Sequence, residues 1–202
     1  EVTVSAPQRI PKRFALQFVR QNMSYIKEKQ RLVHMKNAKR PKLQSGESIP
    51  LWGEPVNLKV TTQKKSSLCL KNDVLEVALS EPSEATLSKA LKAWYKDQVA
   101  KVLDDVVWDI EKRTGLHATS FQIRYMKTRW GSCTISTKRI RINSKLAMFP
   151  PLCLEYVVLH ELAHLFETGH NRRFYHFIEE YMPNWREAKE CLKTFPALDL
   201  EV

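Results

Sequence analysis

The chain has 202 residues, 43% of them hydrophobic, enough to bury a core in one domain or in one domain with a smaller lobe. Lys and Arg number 33 against 22 Asp and Glu, a net charge of +11, so the surface attracts phosphates, nucleic acid or acidic partners. No run reaches the roughly 18 consecutive apolar residues of a membrane span, which argues against a membrane protein.

The first residues, EVTVSAPQRI, lack the charged start and apolar core of a signal peptide. The chain opens on Glu1 rather than Met, so a leader upstream stays open. Val2 and Val4 alternate with polar residues and read as the end of a strand. From Pro11 the apolar residues Phe14, Phe18, Met23, Tyr25, Ile26 and Val33 recur at helical steps, which predicts an amphipathic helix. The charge is uneven: residues 1–82 hold 15 Lys and Arg against 7 Asp and Glu. It is densest from Lys12 to Lys42, where Glu28 is the only acid, and this segment is the candidate contact for nucleic acid or another polyanion.

Residues 37–48 read as loop. IPLWGEPVNLKVTT, SSLCLK and VLEVALS then alternate as short strands, with Asn72-Asp73 as a turn, and predict a small antiparallel sheet with meander-like connections. Ser83 caps a long helix whose apolar face runs through Leu87, Leu91, Trp94, Val102, Val106 and Ile110, and Gly115 ends it. SFQIRYMK and KRIRINS read as two strands flanking a loop, TRWGSCTIST. Pro150-Pro151 opens a helix that is apolar on almost every face and is therefore buried, with its end expected at Gly169. Asn171 caps a further helix to Tyr181, and Asn184 with Glu187 reads as a capping box for the last one.

The buried helix carries the chemistry. His160 and His164 stand four apart, so both project from one face, one turn above the other. With Glu161 they form H-E-x-x-H: two neutral nitrogen ligands for Zn²⁺ and a general base beside them. His170 follows six residues after His164 and is the candidate third ligand; Glu179 or Glu180 on the next helix stays open as a carboxylate alternative. Three protein ligands leave a fourth position for water, which the metal acidifies and Glu161 deprotonates as it attacks the substrate. His176 reads as structural. Cys69, Cys133, Cys153 and Cys191 are scattered without a C-x-x-C pair and read as reduced thiols of a cytoplasmic protein.

MKTRWGSC, VVLHELAHL, HNRRF and PNWR, in that order, resemble the YgjP-like metal-dependent hydrolases, relatives of the SprT/WLM group of zincin-like proteins. The resemblance implies an α+β fold. A small antiparallel β lobe at residues 1–82, basic and with one helix, would precede a zincin-like catalytic domain at 83–202, whose active-site helix packs beside an antiparallel sheet. It also implies that His160, His164 and His170 bind zinc and that Glu161 is catalytic. Gly169 and Tyr175 depart from the family, which often carries a polar residue and a Trp there. The resemblance leaves the substrate between two classes. A metallopeptidase would hold an extended peptide on an edge strand, for which FQIRYMKTRW is the candidate. A nucleoside-triphosphate (UTP-type) pyrophosphatase would use the arginines, among them Arg124, Arg139 and Arg141, on phosphate oxygens. Arg129 and Ser132, in the loop before the active helix, are the candidate substrate contacts. A nucleic-acid-associated protein is the third reading.

Overall fold

The computed structural model describes residues 7, 9, 11–27, 43–195, 197, 198 and 200. The strand read at Val2 and Val4 lies outside them, as does most of the basic segment beyond residue 27. The chain forms two compact units, Glu1–Arg40 and Pro41–Val202. In the first, α1 spans Lys12–Gln21 with Pro11 at its N-cap, where a proline's missing N–H costs nothing. Asn22 ends it, and the backbone is helical again at 23–27. The helical period read from Pro11 onward is thus interrupted at Asn22.

The second unit begins with a sheet of β1 (Ser48–Leu51), β2 (Glu54–Thr62), β3 (Ser67–Lys71) and β4 (Val74–Leu79), in the order β1-β2-β4-β3. β1 and β2 make a two-residue hairpin through Trp52 and Gly53, both at positive φ. β3 and β4 make another through Asn72 and Asp73, the turn read from the sequence. The connection between the hairpins is not a meander. β4 pairs parallel with β2, in the register Leu58 with Leu75 and Val60 with Val77, because that places Leu58, Leu75 and Val77 together in the core.

α2 spans Glu84–Thr114. Ser83 and Thr86 cap its start reciprocally, and Gly115 at φ 69° stops it in the left-handed conformation that glycine adopts without strain. Leu87, Leu91, Trp94, Tyr95, Val99, Leu103 and Ile110 bury one long stripe, and the core they enter also holds Leu75 and Val77 of β4. The change from strands to helix after residue 82 therefore falls inside one shared core, while the compact units divide at residues 40 and 41.

A second sheet follows, of β5 (Ser120–Arg124), β6 (Gly131–Thr134) and β7 (Arg139–Asn143), in the order β5-β7-β6. β6 is the departure from expectation, since it lies inside the stretch read as loop. Its Gly, Ser, Cys and Thr carry little strand signal, but it pairs antiparallel with β7, Cys133 opposite the buried Ile140. β5 pairs with β7 in parallel. After a 3₁₀ turn at Ser144–Met148, α3 (Pro151–Ala163) runs through the centre of the unit, with nine of its residues buried. α4 (Arg172–Tyr181) and α5 (Trp185–Thr194) pack on it. Asn171 caps α4 as expected, its Oδ1 accepting from the Arg173 and Phe174 amides. Asn184 makes no side-chain cap to α5, so the capping box read there does not form. The architecture is α+β, rich in antiparallel pairing, with a buried helix beside a small sheet. Among the described residues no helix is long and apolar enough to cross a membrane.

Candidate functional site

α3 stops at Ala163, six residues before the expected end at Gly169. His164 is its C-cap, and the chain tightens there: the Leu165 amide donates to the Leu162 carbonyl at 2.9 Å and the Phe166 amide to Ala163 at 3.0 Å. This early stop lets residues 165–170 fold back over the end of the helix. His170 thereby meets His160 and His164, and one ring nitrogen from each lies within 4.8 Å of the others. The closest pair, Nε2 of His160 and Nε2 of His170, is 3.0 Å apart. Phe174, fully buried at the start of α4, forms the floor, its ring centroid 4.8–4.9 Å from all three imidazoles.

The protonation states follow from the surroundings. His164 Nδ1 lies 3.3 Å from the Glu167 carbonyl, which can only accept, so that nitrogen carries the proton and Nε2 keeps its lone pair. Burial lowers the His164 pKa, and burial together with the other histidines and Lys189 pushes His160 down to about 3. At neutral pH His160 is thus an uncharged base, as a ligand to a cation must be.

Glu161 is 6% exposed and lies against β6. Burial pushes its pKa up to about 7, against the Arg129 guanidinium and the Cys133 amide, which favour the charged form. The approach is so close that a Cβ on Gly131 would stand 2.6 Å from Glu161 Cγ and Oε1. Only glycine fits, which explains the Gly in the RWGSC stretch. The Trp130 carbonyl accepts from the Asn143 amide at 2.8 Å, and by antiparallel alternation Ser132 and Thr134 share the hydrogen-bonded pairing with β7. The backbone groups of Gly131 and Cys133 therefore point away from β7, at the free edge of the sheet. The edge beside the buried helix is β6 rather than the FQIRYMKTRW stretch as a whole; β5 lies at the far side.

Asn143, 1% exposed, holds the loop before β6. Its Nδ2 donates to the Met126 carbonyl at 2.9 Å and to the Arg129 carbonyl at 2.7 Å, and its Oδ1 accepts from the Met126 and Lys145 amides. On the other side of the histidines Tyr156 lies 5.7 Å from the His160 ring. Its hydroxyl is pushed up to about 12 by burial and by Tyr175 and Glu161. Trp185 stacks on both Tyr156 and Tyr175.

A family model described as YgjP-like, metallopeptidase domain, matches residues 1–195. The chain belongs to the YgjP-like family. No curated protein matches it. Two crystal structures of metallopeptidase zymogens are similar to part of it. Abylysin of Pyrococcus abyssi is 20% identical at a TM-score of 0.42, over 45% of this chain and 91% of that one. Jannalysin of Methanocaldococcus jannaschii is 24% identical at 0.41, over 45% and 92%. The YgjP-like metallopeptidase family implies a metal ion, and the three histidines could hold one. The donor set fits: three imidazole nitrogens converge on one point, with no carboxylate or thiolate among them.

The structure brings together His160, His164 and His170, and sets the Arg129 charge near Glu161, the residue next to His160. It does not bring in the carboxylates kept as alternatives. Glu179 is taken by Arg186 in two hydrogen bonds of 2.8 and 3.0 Å, and neither Glu179 nor Glu180 joins the histidine cluster. His176 is exposed on α4. Ser132 is on the strand next to Glu161, but its side chain alternates to the opposite face from Gly131 and Cys133, the face that bears Arg141. The contacts of Gly131, Asn143 and Phe174 and the stacking of Tyr156, Tyr175 and Trp185 escaped the sequence reading, which marked Tyr175 only as a departure from the family. Tyr156 alone had a signal: it stands one turn before His160 on the same face.

Proposed function

We propose that the protein is a zinc-dependent hydrolase that cleaves peptide bonds, with His160, His164 and His170 as the metal ligands and Glu161 as the general base. The observation that carries this reading is the convergence of three imidazoles one residue from a buried carboxyl held against an edge strand. Zinc is the metal that an all-nitrogen, three-histidine set suits, and it would supply Lewis acidity toward a carbonyl and toward water.

The chain's own residues do the rest. Glu161 takes a proton from water and returns it to the leaving amine. The Cys133 amide and the Arg129 charge hold its carboxylate in place. The outward-facing Gly131 backbone and the Cys133 carbonyl, the Cys133 amide being held by Glu161, offer an extended peptide a partial ladder beside Glu161. Phe174 closes the floor and keeps water from behind the histidines. The four cysteines, all free, accord with a reducing, cytoplasmic setting.

The test is a substrate panel of unstructured protein, short peptides and the four nucleoside triphosphates, offered to the zinc-loaded protein. Release of new peptide termini is expected. Pyrophosphate release with intact peptides would overturn the reading in favour of nucleotide hydrolysis by the same site.

A further inference from the structure

Lys189, on α5, ends in an aromatic slot beside the histidines. Its Nζ lies 5.0 Å from the Tyr175 ring centroid and 5.1 Å from that of Trp185, and it donates to the Tyr175 hydroxyl at 3.4 Å. Tyr175 in turn lies 6.3 Å from the His170 ring. No carboxylate among the described residues pairs with Lys189, whereas its neighbour Glu190 is taken by Lys193 at 2.9 Å. Lys189 is therefore a cation fixed at the rim of the site by packing rather than by an acid.

The sheet beside Glu161 is also cationic. From Lys112 to Leu154 the sequence has nine Lys and Arg and no Asp or Glu. This stretch supplies all three strands of the sheet beside Glu161. On its solvent face Arg139 and Arg141 of β7 are exposed, flanked in register by Thr134 and Ser132 of β6. Arg129 precedes β6 and its charge reaches Glu161. A chain bound at the site would meet Arg129 beside Glu161 and Lys189 one aromatic ring from His170, with more arginines on the outer face of the sheet. Such an arrangement rejects cations and is satisfied by anions. An edge strand with outward backbone groups selects a polypeptide over a phosphate chain, because ladder pairing needs peptide N–H and C=O groups.

We infer that the substrate is an acidic polypeptide and that Lys189, held by Tyr175 and Trp185, is a specificity-determining residue that receives a carboxylate next to the scissile bond. This rests on the peptidase reading above and narrows it. The carboxylate comes from an acidic side chain or from a free chain end.

The test measures kcat/KM on matched quenched peptides with Glu, Gln or Lys beside the cleaved bond, each with a free and an amidated C-terminus. The zinc-loaded protein should prefer Glu over Gln by about ten-fold, the size of one partly desolvated ion pair, and Glu over Lys by more. The ratio should shrink with added salt. Lys189→Met should bring the Glu-to-Gln ratio toward one, Lys189→Arg should keep it, and Lys189→Glu should invert Glu against Lys. A purely packing role for Lys189 would leave these ratios unmoved and would overturn the inference. A preference confined to free C-termini would assign the carboxylate to the chain end, and one that persists on amidated peptides to a side chain.

Equal turnover of the Glu, Gln and Lys peptides would overturn the charge inference and leave the peptidase reading standing. Absence of any peptide cleavage would refute the peptidase reading. Fluorescence anisotropy of the same labelled peptides on Glu161→Gln protein then decides the charge inference: equal binding of Glu and Lys peptides overturns it. An oligonucleotide of equal charge that binds more tightly than the acidic peptide would overturn it in favour of nucleic acid.

Discussion

Gly131→Ala tests the packing of the strand against the helix with the smallest possible change. The added methyl would stand 2.6 Å from Glu161 Cγ and Oε1 and 2.8 Å from Cδ. Relief to an ordinary 3.4 Å separation requires a shift of about 0.8 Å. Neither partner yields cheaply: β6 is tied to β7, and Glu161 is 6% exposed on a helix buried on most faces. Overpacking of this kind costs about 1–3 kcal/mol. A displacement near 1 Å of a group that must align with its substrate costs about 100-fold in rate. Two assays read these effects separately: urea unfolding followed by circular dichroism, and peptide turnover per folded, metal-loaded molecule. The control is the same substitution in a Glu161→Ala background, where the clash partner is gone and the stability cost should shrink to within about 0.5 kcal/mol. An equal cost in both backgrounds, or full turnover by Gly131→Ala, would refute the reasoning.

Other substitutions separate holding, folding and proton transfer. His164→Ala and His170→Ala should each lose tightly held metal, read by metal analysis after gel filtration; retention of one ion by either would remove that residue from the ligand set. Asn143→Leu should destabilise by about 3 kcal/mol or more, since it orphans the Met126 and Arg129 carbonyls and two amides, and denaturant midpoints would show it. In metal-free protein Glu161 has a folded pKa near 7, above the ordinary 4.5, so its contribution is intact below pH 4.5 and is lost as pH rises through about 7. Glu161→Gln should therefore raise the metal-free Tm at pH 8, by up to about 3 kcal/mol in stability, and change it little at pH 4.5. Equal shifts at both pH values would contradict burial as the cause. His160 works in the opposite sense, because its folded pKa is depressed to about 3. Its contribution is present above about pH 6.5 and drains away as pH falls toward 3, so acid should unfold the metal-free protein early.

The sequence made the site legible where one residue's role depends on near neighbours. His160 and His164 share a face by helical period alone, and His170 needed only a chain reversal nearby. Even there, the reversal was misplaced. Gly169 looks like a helix end, but the helix stops at Ala163 and His164 caps it. β6 was hidden because Gly131–Thr134 has no alternating apolar residues; it is a strand through its pairing with β7 and its contact with Glu161. The parallel pairing of β2 with β4 was hidden for a similar reason. Both strands alternate in the same way, and only the shared core selects the register. Lys189 shows the limit most plainly. Nothing near it in sequence marks it, and its position beside the histidines depends on how α5 packs against α3 and α4.

The central claim is that one carboxyl, Glu161, moves the proton at a site whose metal is held by histidines alone. Metal content and peptide turnover, measured together on wild type and Glu161→Gln, test it most directly. The account predicts about one zinc per chain in both proteins and turnover reduced at least about 100-fold in Glu161→Gln. Turnover that survives Glu161→Gln with the metal still bound would contradict it.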